Sequence, residues 1–244
     1  MLEYIAYSNK GFFRKKNQDR VMIDGKILKE GSLKGISQGN ILAVVCDGVG
    51  GNNGGEVAAE IVANGFATYG ETIANVEELK ERISVLNQNI MNEQKNNDSL
   101  SGMATTASGL QIINDYFVLF NVGDTRIYRF VNSDMLRETN DQKICSEEYG
   151  GLFEYNNTQS FLTSYFGGSG FFCDPIVKEG SINDSSGYFL ICSDGIYKNI
   201  DEKKIGEIIF EKDSLEEKIN LISNLAIKNK FMDDASLILI KYKL

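Results

Sequence analysis

Apolar residues in this chain recur in two ways. Residues 40–46 (NILAVVC), 187–192 (GYFLIC) and 236–242 are apolar at nearly every position, which predicts buried strands. Elsewhere the spacing is helical: Val57, Ile61, Val62, Phe66 and Tyr69 predict one helix. Leu79, Ile83, Leu86 and Ile90 predict a second, which should fade at the polar run 94–98. The middle of the chain turns to strands at 103–113, 116–122 and 125–131. The breaks at Asn114-Asp115 and Gly123-Asp124 read as tight turns of an antiparallel meander. Residues 138–160 lose periodicity and read as a surface insertion; strand pattern returns at 176–182 and 188–192. Ile205, Ile208 and Ile209, then Leu215, Ile219, Ile222 and Leu225, predict closing helices before the last strand. This order predicts an α+β fold of antiparallel sheets with helices outside, rather than alternating βαβ units.

Two of the strand-like runs end alike. Asp47-Gly48 follows the first, and Asp194-Gly195 follows the second one residue after Ser193. A carboxylate at the mouth of a buried strand is rigidly aimed, and the glycine admits close approach of backbone or ligand. The chain has no histidine, so a metal here would be bound largely by oxygen, which points to hard cations such as Mg²⁺ or Mn²⁺. The same absence excludes Ser-His-Asp, Cys-His and His-zinc chemistry, and leaves Ser193, Thr105 and Thr106 without a base to make them nucleophiles.

Bulk properties narrow the class further. The 244 residues suffice for one full core, and no Pro- or Ser-rich linker divides them. A net charge of −9 opposes nucleic-acid binding and adhesion to an anionic membrane. No apolar stretch approaches the roughly 20 residues of a membrane helix, and the N-terminus lacks the apolar segment of a signal peptide. The four cysteines show no CxxC pairing; Cys46 and Cys192 lie in apolar strands and read as core packing. A cytoplasmic enzyme is the expectation.

Asp19, Asp47, Asp124, Asp194 and the pair Asp233-Asp234 each fall where a strand-like run meets a turn. Singly, aspartate is more often a turn former there than a ligand. Their order and context carry more. The stretches GFFRKKNQD (11–19), DGVGG (47–51) with Gly55-Glu56-Val57-Ala58, GMATT (102–106) and NVGDTRIY (121–128) are followed by LTSYFG (162–167), CSDGI (192–196) and DDAS (233–236). In that order the chain resembles the metal-dependent protein serine/threonine phosphatases of the type 2C family over nearly its whole length.

The resemblance implies one catalytic domain spanning 1–244, with two antiparallel sheets packed as a central sandwich and helices on both outer faces. It implies Mg²⁺ or Mn²⁺, two ions and a weaker third. Asp47 would bridge two ions and the Gly48 carbonyl would add a ligand. Asp194 and Asp233 would complete the protein's share, and Asp124 would help hold the third ion. Asp19 would orient the metals' waters, and Arg14 would grip the phosphate of a phosphoserine or phosphothreonine protein substrate. Two divalent ions about 3.5–4 Å apart can lower the pKa of a shared water and clamp phosphoryl oxygens. The bridging hydroxide would attack phosphorus in line, with no covalent phosphoenzyme. Arg14 lies among Lys10, Lys15, Lys16 and Arg20, the densest positive patch of an acidic chain, suited to drawing in an anionic segment.

Some positions depart from the family. Val49 replaces a histidine found in some members, Gln18 a frequent glutamate, and Ser164 a common arginine. The family's pattern places the ligand three residues before a hydroxyl, here that of Ser236, so the resemblance implies Asp233 rather than Asp234 as ligand, with Asp234 in the family's Asn position. Residues 138–160 fall where the family carries a flap. A pseudophosphatase serving as a binding module is the alternative function, and ligand completeness speaks against it. A two-metal nuclease is opposed by the acidic balance. The Asn-, Lys- and Ile-rich composition resembles low-GC bacterial proteins, so a serine/threonine kinase of the same cell is the expected counterpart, and a monomer the expected state.

Overall fold

The computed structural model describes residues 1–49, 54–68, 75–145, 160–168, 173–228 and 233–243. In chain order the strands are β1 (Leu2–Asn9), β2 (Arg20–Ile23), β3 (Lys26–Leu28), β4 (Gly31–Ser37), β5 (Asn40–Gly48), β6 (Ala104–Ile113), β7 (Tyr116–Val122) and β8 (Arg126–Val131). They continue with β9 (Asp134–Arg137), β10 (Lys143–Cys145), β11 (Ser160–Leu162), β12 (Phe166–Gly167), β13 (Ile176–Ser181), β14 (Ser186–Cys192) and β15 (Ala235–Lys243). The helices are α1 (Gly55–Thr68), α2 (Val76–Asn96), α3 (Asp194–Tyr197), α4 (Glu202–Glu211) and α5 (Leu215–Lys228).

Two antiparallel sheets form the centre. One has the order β4-β1-β15-β14-β8-β9; the other runs β13-β7-β6-β5-β2-β3, with β12 pairing against β6. Side-chain alternation explains why β5 and β15 are apolar throughout. Ile41, Ala43 and Val45 of β5 meet Ile238, Ile240 and Tyr242 of β15 in the core between the sheets. The alternate residues Leu42, Val44 and Cys46 face α1 and α2. Leu237 and Leu239 face α3, α4 and α5. The result is the expected layering of helices, sheet, sheet, helices. Each large apolar side chain buried this way contributes roughly 1.5–3 kcal/mol. Among the described residues, ion pairs with an exposed partner, such as Lys16–Glu56, Lys29–Glu60, Lys34–Glu216 and Lys204–Glu207, contribute about 0–1 kcal/mol each, so burial holds the layers together.

Cys46 and Cys192 are fully buried in the two helix-side cores. Burial pushes the Cys192 thiol up to about 12 and the Cys46 thiol higher still. Phe66 stacks on Phe120 with ring centroids 4.9 Å apart, seating α1 on β7. Asn75 caps α2 by accepting the Glu78 N–H at 2.9 Å.

One expectation is corrected. Gly123-Asp124 is not a hairpin turn within a meander: β7 and β8 belong to different sheets, and the turn carries the chain across the sandwich. The edge of β7 is taken by β13. Strand β8 is apolar on both faces, with Ile127 between the sheets and Tyr128 and Phe130 towards the helices, so it needs the doubly covered place beside β14. Gly123 takes φ +104°, and a Cβ there would meet Thr106 at 2.5 Å.

Candidate active site

Strand direction gathers the acidic residues. Because β5, β7 and β14 run one way and β2, β8 and β15 run the other, the ends of the first three and the starts of the last three share one edge of the sandwich. That edge receives Asp19 before β2, Asp47 at the end of β5, and Asp124 between β7 and β8. It also receives Asp194 after β14 and Asp233 before β15. The loop from β1 to β2, bearing Arg14, opens there too. A cavity of about 480 Å³ lined by Asp24, Gly25, Ser37, Asn40 and Phe66 lies at the opposite strand ends and has no part in this site.

Asp47 is fixed from below by its backbone, whose carbonyl accepts the Thr105 hydroxyl at 2.8 Å. Its carboxyl is pushed well above the usual range by burial, and then by the charges of Asp19, Asp194, Asp233 and Asp124. Asp19 is fully buried; its Oδ2 accepts the Ser193 hydroxyl at 2.9 Å and its Oδ1 has no partner. Burial raises its pKa, with Asp234 and Asp233 adding to the rise and the Ser236 and Ser193 hydroxyls opposing it. Ser193 itself is buried, accepts the Ser236 N–H at 3.0 Å and orients Asp19.

Asp194 opens α3. Its Oδ2 accepts Lys198 Nζ at 2.5 Å, one helical turn on, while Oδ1 is buried with no partner. Burial raises its pKa; Lys198 opposes that rise, and Asp233 and Asp124 reinforce it. Gly195 lets α3 sit against β15, since a Cβ would lie 2.0 Å from the Asp234 carbonyl oxygen. Gly48 is enclosed likewise: a Cβ would lie 2.7 Å from the Gln18 carbonyl oxygen and from the carbonyl of Gly55.

The two neighbouring aspartates at β15 do different things. Asp233 Oδ1 accepts Arg14 Nη2 at 2.5 Å and the Asp234 N–H at 2.9 Å. Asp234 is 2 % exposed and both its oxygens are spent on backbone, accepting the N–H of Gly11 at 2.8 Å and of Gln18 at 2.7 Å. Asp234 therefore clamps both ends of the Arg14 loop, and Asp233 faces the arginine. Gln18 holds the other side of Arg14, its Oε1 accepting Nη1 at 3.2 Å. Asp124 is 7 % exposed; its Oδ2 accepts the Tyr197 hydroxyl at 3.1 Å and Lys143 Nζ at 3.5 Å.

Lys198, Tyr197 and Lys143 were not singled out as site residues from sequence, and Asp234 was weighed there only as the alternative ligand to Asp233. The i, i+4 spacing of Asp194 and Lys198 behind a strand end was the available signal for the first. Ser164 is 2 % exposed and exchanges hydrogen bonds with the Asp174 backbone, closing a loop. Of the 138–160 insertion, β10 and β11 pair as a ribbon, and residues 146–159 lie outside the described residues.

The donor set fits hard divalent cations. Five carboxylates repel one another at one edge, two have a buried oxygen with no partner, and Arg14 and Lys198 supply the local counter-charge. Among the described residues no three acidic or cysteine side chains converge on a single point.

Comparison with known proteins decides the family. The model of the family described as protein phosphatase 2C matches residues 24–226. The chain belongs to the protein phosphatase 2C family. The match spans Asp47, Asp124 and Asp194; Arg14, Asp19 and Asp233 lie outside it and rest on the geometry above. The serine/threonine phosphatase stp of Listeria welshimeri is 27% identical over 217 residues, covering 83% of this chain and 85% of its own. The serine/threonine phosphatase Stp1 of Staphylococcus aureus superposes with a TM-score of 0.82 at 23% identity, over 100% of this chain and 96% of its own. The catalytic domain of the serine threonine protein phosphatase PstP, solved in complex with two manganese ions, gives 0.77 at 20% identity, over 98% of each chain.

Proposed function

We propose that this protein hydrolyses phosphoserine and phosphothreonine in proteins, using two divalent cations, Mg²⁺ or Mn²⁺. The observation that carries the reading is the gathering of Asp19, Asp47, Asp124, Asp194 and Asp233 at one edge, with unpartnered buried oxygens on Asp19 and Asp194, in a chain of the protein phosphatase 2C family. Family members named serine/threonine phosphatases, and the manganese-bound PstP domain, support the substrate class and the ions.

Asp47, the Gly48 carbonyl, Asp194 and Asp233 would hold the two ions, and Asp124 a weaker third. When bound, such ions supply a strong nucleophile from water at neutral pH and neutralise charge on the phosphoryl oxygens. The chain's own residues do the remainder. Asp19, held at Oδ2 by Ser193, keeps a buried, unpartnered Oδ1 that would accept a hydrogen bond from a water of the filled site and orient it. Arg14, held between Asp233 and Gln18, would offer its planar fork to the equatorial oxygens of the phosphate. Gln18 and the Asp234 clamp keep that arginine in place. Val49 provides no proton, and the departing alkoxide would take one from water.

Several companion readings belong to the same proposal. The whole chain acts as one catalytic domain, supported by the pairing of its first and last long strands. The substrate is a phosphoprotein and its counterpart a serine/threonine kinase; the enzyme works in the cytoplasm as a monomer. No helix among the described residues is long and apolar enough to cross a membrane. The test is phosphate release from a phosphothreonine peptide with Mn²⁺, with Mg²⁺ and with excess chelator, beside Asp194→Asn. Turnover that needs metal and disappears in the variant supports the assignment. Metal binding without turnover in the wild type overturns it in favour of a binding module.

A further inference from the structure

The loop that carries Arg14 has a feature that its catalytic role leaves unexplained. Residues 11–14 form a turn closed by the Arg14 N–H donating to the Gly11 carbonyl at 3.1 Å. Its two central positions, where Gly, Asn, Asp or Pro are usual, hold Phe12 and Phe13. Phe12 is 74% exposed and Phe13 66%, the most exposed large apolar side chains among the described residues. Their rings pack edge to face with centroids 5.0 Å apart.

This is not a frayed loop tip. Gly11 and Gln18 are both bound by the buried Asp234 carboxylate, and a Cβ on Gly11 would lie 2.7 Å from the Asp233 backbone. The turn is thus pinned to the Asp233-Asp234 segment that leads into β15, and the ring pair stands in solvent immediately before Arg14. Two exposed phenylalanines on a rigid turn forgo the stabilisation that burial would give.

We propose that Phe12 and Phe13 form a docking surface for the polypeptide of the phosphorylated substrate, receiving an apolar side chain within two residues of the phosphorylated one. The inference rests on the phosphatase reading, since it places the phosphate at Arg14. Consecutive Cα atoms are about 3.8 Å apart, so a chain whose phosphate is on Arg14 brings its neighbouring side chains to the adjoining turn residues. The flank carries an exposed Lys15, beside Lys10, whose ammonium donates to the Arg14 carbonyl at 2.8 Å, and Lys16, which pairs with Glu56 at 3.0 Å, on a loop of an otherwise acidic protein. The occupant is therefore an anionic phosphopeptide with an apolar neighbour. Aromatic rings give such contact area at low entropic cost, and the rigid turn pre-orders them.

The experiment is the double variant Phe12→Ser/Phe13→Ser with Mn²⁺. It is assayed on a phosphothreonine peptide with leucine beside the phosphothreonine, on the same peptide with serine in that place, and on a small aryl phosphate. Calorimetric binding of both peptides is measured in parallel. The expected result is a drop of about tenfold in kcat/KM for the leucine peptide, carried by KM, with matching loss of binding. The serine peptide should move less than threefold and the aryl phosphate should keep its kcat/KM. An equal fall on all three substrates would make the rings a structural prop for Arg14 and overturn the proposal. So would no change on any, or a wild-type dimer that the double variant dissolves, which would make the pair a self-association contact. If the wild type turns over none of the three yet binds the leucine peptide through the rings, the docking surface stands and the phosphatase reading fails.

Discussion

Lys198 sits 2.5 Å from Asp194 Oδ2, and its charge also acts on Asp124 and Asp47. In the proposed centre it is a resident monovalent cation that a divalent ion must displace or tolerate. Lys198→Met keeps the apolar stem and removes the charge. A cation bound to the other oxygen of Asp194, at the usual metal–oxygen distance of about 2.0–2.1 Å, would lie roughly 6 Å from the ammonium. Coulomb repulsion between +1 and +2 at that separation is about 1.4 kcal/mol in water and about 5.5 kcal/mol at an effective dielectric constant of 20. The Lys198 side chain is 52% exposed, so the value falls near the aqueous end. At about 1.4–2 kcal/mol, Mn²⁺ affinity should tighten roughly 10–30-fold in the variant. Titration calorimetry at pH 8 on chelator-stripped protein reads this directly. Weaker binding in Lys198→Met would refute the reasoning and make Lys198 a group that orients Asp194 for metal.

Three other outcomes are expected. Asp234→Asn leaves one of the Gly11 and Gln18 N–H groups facing an amide nitrogen, offset partly by relief of repulsion with Asp233; stability should fall by about 2 kcal/mol in urea unfolding. Turnover should drop through Arg14, while Mn²⁺ affinity holds within a few-fold; loss of metal binding would instead make Asp234 a ligand. Gly48→Ala drives a methyl into two backbone carbonyls and should cost about 2–3 kcal/mol by the same assay, with wild-type stability refuting the close approach. Because burial and mutual repulsion raise the Asp47, Asp19 and Asp194 pKa values in the fold, the native state holds more protons than the unfolded chain. These groups therefore cost the metal-free protein stability as pH rises above 3.8 and through their raised values. The rise in melting temperature on adding Mn²⁺ should then grow as pH climbs above the ordinary carboxylate range; a rise independent of pH would contradict it.

The layers were legible from sequence because β5, β14 and β15 are buried on both faces, so their apolar runs announce strands and their Asp or Asp-Gly ends announce an edge. Asp19, Asp47, Asp124, Asp194 and Asp233 come to that edge through strand direction, which motif order anticipates. The crossing at Gly123-Asp124 was not legible, since a two-residue turn looks the same whether the next strand pairs back or changes sheet. Only the occupied edge of β7 decides it. The partner choices of Lys198, Tyr197, Lys143 and Asp234 depend on which side chains meet across elements, and only the Asp194–Lys198 spacing foreshadowed one of them. The division between Asp233 and Asp234 became physical once both Asp234 oxygens were seen bound to backbone.

The most direct test of a two-cation centre built on Asp47 is Mn²⁺ stoichiometry by titration calorimetry, wild type beside Asp47→Asn. The account predicts two tight ions in the wild type and loss of both in the variant, because one carboxylate serves them together. A wild type that binds no tight Mn²⁺, or an Asp47→Asn protein that still binds two, would contradict it.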